Sequence, residues 1–404
     1  MSSGPLLSYI VLSYNYERYI GKTLQSILAQ TVQDFEIVVV DDKSKDRSVE
    51  IVSAMADPRI RLFKNESNLG GAASYNKAIL QARGEWLVNL DADDWIDPRK
   101  AEIQLQLAND DPRLDIIGTY ISVYDEHDAP HSSASSVEAL VNQPHDLNLV
   151  DTWIGANHLC RSSTMVKASA HRRIGLDDAA MVRAPDYELW TRALKAGCRF
   201  AVVPEKLTSI RLHYGGVTHA DPSGTLLEMS FAMLRNLMPL AEARSLYPSM
   251  SRIIAWVGRH PALSRLLPEE SHRLLGMLMQ STSVRDFSDF VVLLANAAEH
   301  PELGPIGRRS LSFISPYADG NQDARKLHQD INAYTQARNF WRTESEKWEG
   351  HYRDAVVLHQ ESHAQSETWE RQYRALEKSV HQQRSGWRAL PGKLWSRVRR
   401  NAKK

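Results

Sequence analysis

Four constellations in this chain have residue types and spacings that can do chemistry. The first is Asp91-Ala92-Asp93, which ends the strand predicted over 86–90. Two carboxylates one residue apart, on a tight turn at the end of a buried strand, can approach one hard cation together. Mg²⁺ or Mn²⁺ needs only one or two carboxylates when phosphate oxygens fill its remaining positions. A cation held this way offsets the charge of a nucleotide-sugar diphosphate and stabilises the departing nucleotide as a Lewis acid. The same triplet also reads as an acidic turn or cap ahead of Trp95-Ile96-Asp97-Pro98, and alone it is a weak signal.

The second is Val38-Val39-Val40-Asp41-Asp42, another strand ending in two carboxylates. One of them can accept from a base N–H or a ribose hydroxyl. Asp41 and Asp42, followed by Ser44 and Asp46, would equally serve the first turn of a helix starting at Ser48. The third is Asp186, at the head of an amphipathic helix with Leu189, Trp190, Ala193 and Leu194 on its inner face. A first-turn acid suits the helix dipole, and a carboxylate beside a sugar can take the proton of an acceptor hydroxyl. The fourth is His213, beside Gly215-Gly216, which can reach a metal or a diphosphate; a lone histidine is more often structural or solvated. Nothing in the linear order brings Asp186 to Asp93.

The elements that must position these residues alternate. Strands are predicted over 9–12, 35–40, 60–63 and 86–90, and helices over 20–30, 48–55 and 72–82. Such alternation means βαβ units and a mostly parallel sheet. Ligands in such sheets bind at the carboxyl ends of the strands, where both acidic clusters fall. Residues 129–148, rich in Ser, Pro and His, read as a surface loop. The stretch 153–158 reads either as a lining of the acceptor cleft or as an ordinary strand and turn.

Beyond this α/β domain of 1–224, residues 225–320 read as an all-helical region broken at Pro239, Pro248, Pro261, Pro268 and Pro301. Residues 321–385 read as a long helix or coiled coil. A heptad seam over 327–380 carries Ile331, Tyr352, Tyr373 and Val380 with Trp341, Trp348 and Trp369, and Arg338, Ser345, His359, Ser362 and Ser366 weaken its middle. It either packs on the helical region or pairs with a second copy. The tail 386–404 is basic, without an acid, and interleaves Trp387, Leu390, Leu394, Trp395 and Val398; it suits an anionic membrane surface or is a solvated end.

Bulk properties agree. The 404 residues hold 49 Lys plus Arg and 49 Asp plus Glu. That balance argues against a nucleic-acid binder. Cys160 and Cys198 lack zinc-site spacing and are expected to be buried thiols. No signal peptide or membrane span is recognisable, so a cytoplasmic place is expected, with membrane contact only from the surface.

Taken in order, Ser8 to Asn15, Val39 to Asp46, Asn68-Leu69-Gly70-Gly71 with Asn76-Lys77-Ala78, Ala82 to Trp86, Leu90 to Asp94, Asp186 to Trp190 and Arg211-Leu212-His213 resemble the family 2 glycosyltransferases of GT-A (Rossmann-like) fold. The resemblance spans about half the chain. It implies an inverting transfer from a nucleotide sugar, UDP by family habit, to a glycan or lipid-linked acceptor in surface-polysaccharide synthesis. It implies that Ser13, Tyr14 and Asn15 line the nucleotide pocket with Asn76, that Asp42 or Asp41 holds the base, and that Asp91 contacts the ribose side. Asp93 and His213 would serve Mn²⁺ or Mg²⁺, Asp186 would be the general base, and Trp190 and Arg192 would support the acceptor side. Three positions depart from the pattern: Tyr75 stands where an Arg is frequent, Pro185 where an acid is frequent, and Lys43 where Gly is usual. Two other classes compete. A nucleotidyltransferase would want a Gly-rich loop after the first strand, which Leu12 to Tyr16 lacks. A lapsed enzyme acting as a membrane scaffold would use the coiled coil and tail alone.

Overall fold

The computed structural model describes residues 4–212, 222–257, 286–287 and 289–290. His213, the seam, the tail and most of 258–320 lie outside the described residues.

The apolar runs Tyr9 to Leu12 and Ile37 to Val40 make β1 (Leu7–Ser13) and β2 (Phe35–Asp41) central strands, buried along nearly their whole length. They are flanked by β3 (Ile60–Lys64) and β4 (Trp86–Asp91). The sheet continues through β5 (Trp95–Ile96), β6 (Ile116–Tyr124), β7 (Met165–Lys167) and β8 (Phe200–Arg211) in the order β3-β2-β1-β4-β7-β6-β8-β5. The half from β3 to β4 is wholly parallel. β7 runs antiparallel to both β4 and β6, and β5 antiparallel to β8, so the sheet is mixed. The three residues of β7 are too few to show a period in the sequence.

Helices α1 (Ile20–Leu28) and α3 (Gly71–Gln81) cover opposite faces of the parallel half. Ile20, Leu24 and Ile27 pack with Tyr9, Val11, Ile37 and Val39, while Tyr75, Ala78 and Ile79 pack with Ile10, Val38 and Val40. Burying each such aliphatic side chain contributes roughly 1.5–3 kcal/mol. Helices α2 (Ser48–Ala54) and α4 (Lys100–Asp110) complete the flanks. The register brings strand ends level: Ser13 pairs with Asp41, and Leu12 with Asp91.

The predicted loop 129–148 contains helix α5 (Ala134–Val141), none of whose side chains is buried. A helix without a buried stripe leaves no 3.6-residue signal. The 150–163 stretch forms two 3₁₀ turns, Val150–Trp153 and Arg161–Ser163, rather than a strand. After α6 (Ala168–Ile174) and α7 (Pro185–Lys195) come α8 (Pro222–Ala232), α9 (Met238–Ala243) and α10 (Tyr247–Val257). Pro239 does not end its helix. A π-turn over Met233–Leu237 precedes it and accommodates the missing N–H. Met229, Met233, Leu237, Ile253 and Val257 share one core with Trp153, Tyr187 and Trp190. Both cysteines are free thiols. No described helix is long and apolar enough to cross a membrane.

Candidate active site

The acidic turn is held from three sides. Thr23 of α1 donates its hydroxyl to the carbonyls of Ala92 and Asp94 at 2.8 and 2.7 Å. The Asp91 N–H donates to Ser162 Oγ at 3.0 Å. From the end of β8, Arg211 donates its N–H to Asp94 Oδ1 at 2.8 Å and its Nε to the Asp93 carbonyl at 3.1 Å. The Arg211 guanidinium lies 4.3 Å from the Tyr19 ring centre and pairs with Asp128 at 2.6 Å.

Asp91, Asp93 and Asp94 therefore crowd one buried turn. Burial first, and then the charge of Asp93, push the Asp91 carboxyl up to about 6, while Arg161 opposes the rise. Asp94 is raised by burial and by both neighbours. Buried like charges of this kind are what a divalent cation relieves. Among the described residues no three His, Cys, Asp or Glu side chains close on one point. One or two carboxylates with diphosphate oxygens suffice for Mg²⁺ or Mn²⁺, so the residues present fit such an ion.

The two carboxylates at the end of β2 separate in role. Asp42 is consumed by its surroundings: it accepts from Asn65 Nδ2 at 2.8 Å and from the N–H groups of Leu69 and Gly70 at 2.7 and 2.9 Å. Asp41 accepts from the Ser44 N–H through Oδ1, while its Oδ2 and the Ser13 hydroxyl are buried without a hydrogen-bond partner. Asn15 and Lys43 both take left-handed backbone, at φ 59° and 68°. Asn15 is stabilised there by accepting from the Lys45 N–H and donating its own N–H to Ser44 Oγ. Lys43 occupies a conformation that suits glycine, at a cost of about 1 kcal/mol. Tyr14 is exposed at the rim.

Asp186 opens α7 behind Pro185, which fits the first helical position because its missing N–H would lack a partner there. Asp186 Oδ2 accepts from Asn157 Nδ2 at 2.9 Å. Its charge is also among those that raise Asp91, after burial and Asp93.

Arg161 was not singled out by sequence reasoning. Its side chain is buried, pairs with Asp177 at 2.7 Å and lies 4.2 Å over the Tyr75 ring. A guanidinium thus stands on the very side chain that departs from the family pattern, but it arrives from the second 3₁₀ turn rather than from α3. An Arg beside three Ser and Thr residues has no period or spacing that would mark it.

Three expected ligand contacts are placed elsewhere. Asn76 is buried and clasps the backbone of Asp177, donating to its carbonyl at 2.9 Å and accepting from its N–H at 2.8 Å. Trp190 is wholly buried in the core, with Nε1 donating to the Leu159 carbonyl at 3.1 Å. Arg192 turns back to Glu188 at 2.9 Å and to the carbonyls of Ile174 and Leu176. On an amphipathic helix the indole belongs to the inner face, and the i, i+4 spacing takes Arg192 to Glu188.

Residues 8–175 match the family described as glycosyl transferase family 2. This segment is a family 2 glycosyltransferase domain. Over 213 residues the chain is 29% identical to an uncharacterized glycosyltransferase of Methanocaldococcus jannaschii, covering 52% of this chain and 71% of that one. It is 32% identical over 213 residues to the succinoglycan biosynthesis protein ExoO of Rhizobium meliloti, covering 50% and 59%. In fold, the chain resembles S. aureus TarS 1–349 in complex with UDP, with a TM-score of 0.50 at 18% identity over 84% of this chain and 91% of that one. The mixed sheet with its flanking helices is the GT-A arrangement. The family match ends before Asp186, so the acid on α7 lies outside the matched residues.

Proposed function

We propose that this glycosyltransferase moves a sugar from a UDP-sugar to a glycan or lipid-linked acceptor with inversion, in cell-surface polysaccharide synthesis. The observation that carries the reading is the turn Asp91 to Asp94 at the carboxyl end of β4, where three carboxylates crowd together and Thr23, Ser162 and Arg211 hold the backbone. Asp93 would hold Mn²⁺ or Mg²⁺, and His213 would join it or the diphosphate. The cation would offset the charge on the departing nucleotide. Asp41, with its open oxygen, would accept from the base, and Ser13, Tyr14 and Asn15 would line its pocket. Asp91 would face the ribose side, and Arg161 would supply positive charge to the donor side. Asp186, oriented by Asn157, would take the acceptor proton as the hydroxyl attacks C1. The relation to a succinoglycan biosynthesis protein supports the polysaccharide setting. The basic tail 386–404 would hold the enzyme at the inner face of the membrane, and the seam 327–380 would pair copies.

Nucleotide release from a panel of UDP-, GDP-, dTDP- and CMP-sugars, with and without Mn²⁺, tests this. Release from one UDP-sugar that needs Mn²⁺ and is lost in Asp93→Asn supports the reading. Silence across the panel, in a folded protein that binds no nucleotide, would favour the scaffold alternative.

A further inference from the structure

The backbone just before α7 has unusual support. Ala184 stands at the helix cap, where alanine offers no side-chain acceptor, and Pro185 follows without an N–H. The N–H groups of Val182, Arg183 and Ala184 instead donate to one carboxylate, that of Glu228, at 3.0, 2.8 and 2.7 Å. Glu228 is 1% exposed and comes from α8, far along the chain. Its negative charge lies at the positive end of α7, where the helix dipole favours it.

The same helical segment grips the site at two more points. Asn236 Nδ2 donates to Glu188 Oε1 and Thr191 Oγ1, each at 3.1 Å, along the flank of α7. Trp256 of α10 covers Gly155, whose φ is 81°; a Cβ there would stand 2.1 Å from Trp256 Nε1. Gly155 lies two residues before Asn157, the partner of Asp186. Residues 222–257 thus contact the chain two residues from each end of the Asn157–Asp186 hydrogen bond, at Gly155 and at Ala184 and Glu188.

We infer that Glu228 is a positioning residue for Asp186, capping the base-bearing helix from outside and making the helical segment part of the catalytic framework. This rests on the reading of Asp186 as the base. A displacement of about 1 Å at a reacting group costs on the order of 100-fold in rate, so loss of this cap should slow turnover without weakening the nucleotide.

The test uses the full chain as wild type, Glu228→Ala, Glu228→Gln, Asp186→Asn and the Glu228→Ala/Asp186→Asn double variant. Turnover and donor KM are measured on the UDP-sugar most active in the panel, and UDP binding with Mn²⁺ by calorimetry. The expected result is a fall in kcat of about 10- to 100-fold for Glu228→Ala, with donor KM and UDP affinity within about twofold of wild type. The double variant should be no slower than Asp186→Asn, because residues acting as a unit are not additive. Glu228→Gln, which keeps the shape and one acceptor oxygen, should fall between, and it carries the same comparison if the alanine variant does not fold. Wild-type turnover in both Glu228 variants, or a fall of undiminished size in the Asp186→Asn background, would overturn the inference alone. Full activity of Asp186→Asn would overturn the assignment of the base, and this inference with it.

Discussion

Asn157 Nδ2 lies 2.9 Å from Asp186 Oδ2, joining the turn between the two 3₁₀ segments to the head of α7. Asp186 Oδ1 accepts from the Tyr187 N–H at 2.8 Å, so each carboxylate oxygen takes one hydrogen bond, which fixes the rotamer and leaves further lone pairs for an incoming hydroxyl. Asp186→Asn should therefore lower transfer by about 10²- to 10⁴-fold, the range of a lost general base. Asn157→Ala removes the contact to Oδ2 and leaves the one to Oδ1, and should cost about tenfold. Steady-state rates with nucleotide affinity measured in parallel check both, and affinity should stay near wild type.

Asp93→Asn removes one of the crowded carboxylates and with it the assigned cation ligand. Mn²⁺-dependent nucleotide release should fall by at least about 100-fold, a loss of several kcal/mol of charge stabilisation. UDP titrated with and without Mn²⁺ should give equal affinities in the variant and unequal ones in the wild type. An unchanged Mn²⁺ effect would remove Asp93 from the cation site.

The Arg161 guanidinium is fixed by Asp177 and the Tyr75 ring. Arg161→Lys keeps a charge but loses the planar stacking surface and fork. Both Arg161→Lys and Arg161→Ala should weaken UDP-sugar binding, the alanine variant by about 10- to 100-fold, as for a charged hydrogen bond worth roughly 1.5–3 kcal/mol. Arg161→Ala also strands Asp177 in the interior, so a lower melting temperature should accompany it. Weaker melting with unchanged UDP-sugar affinity would make Arg161 structural only.

Lys100 of α4 is fully buried, and its Nζ has no hydrogen-bond partner among the described residues. Burial pushes the amine down to about 7 from its ordinary 10.5. Between those values the unfolded chain holds a proton that the folded chain lacks, so stability contributed here rises with pH across that window. Lys100→Met should raise stability by about 1–3 kcal/mol at pH 7, and the gain should shrink by pH 9. Urea unfolding at the two pH values measures it. A destabilised Lys100→Met would mean that the amine has a partner.

The parallel half of the fold was legible because β1, β2 and β4 are buried on both faces and are mostly apolar, with Asn89 the one polar residue inside the run 86–90. Both acidic strand ends follow from where those runs stop. The antiparallel half was not legible: β7 has three residues, α5 buries nothing, and the 3₁₀ turns have no period. Within the candidate site, residue types alone could not separate Asp41 from Asp42. That separation depends on the N–H groups of Leu69 and Gly70, which the fold brings to Asp42.

Local order along the chain determined which carboxylates stand at the strand ends, because strand periodicity and turn chemistry act over a few residues. It also placed Asp186 at a helix start. Only the tertiary structure decided that Asn157 meets Asp186, that Arg161 lies over Tyr75, and that Trp190, Arg192 and Asn76 are committed to packing and loop support. Those outcomes depend on contacts between residues far apart in the chain. Such contacts form only when buried polar groups compete for the partners that a particular packing brings within reach.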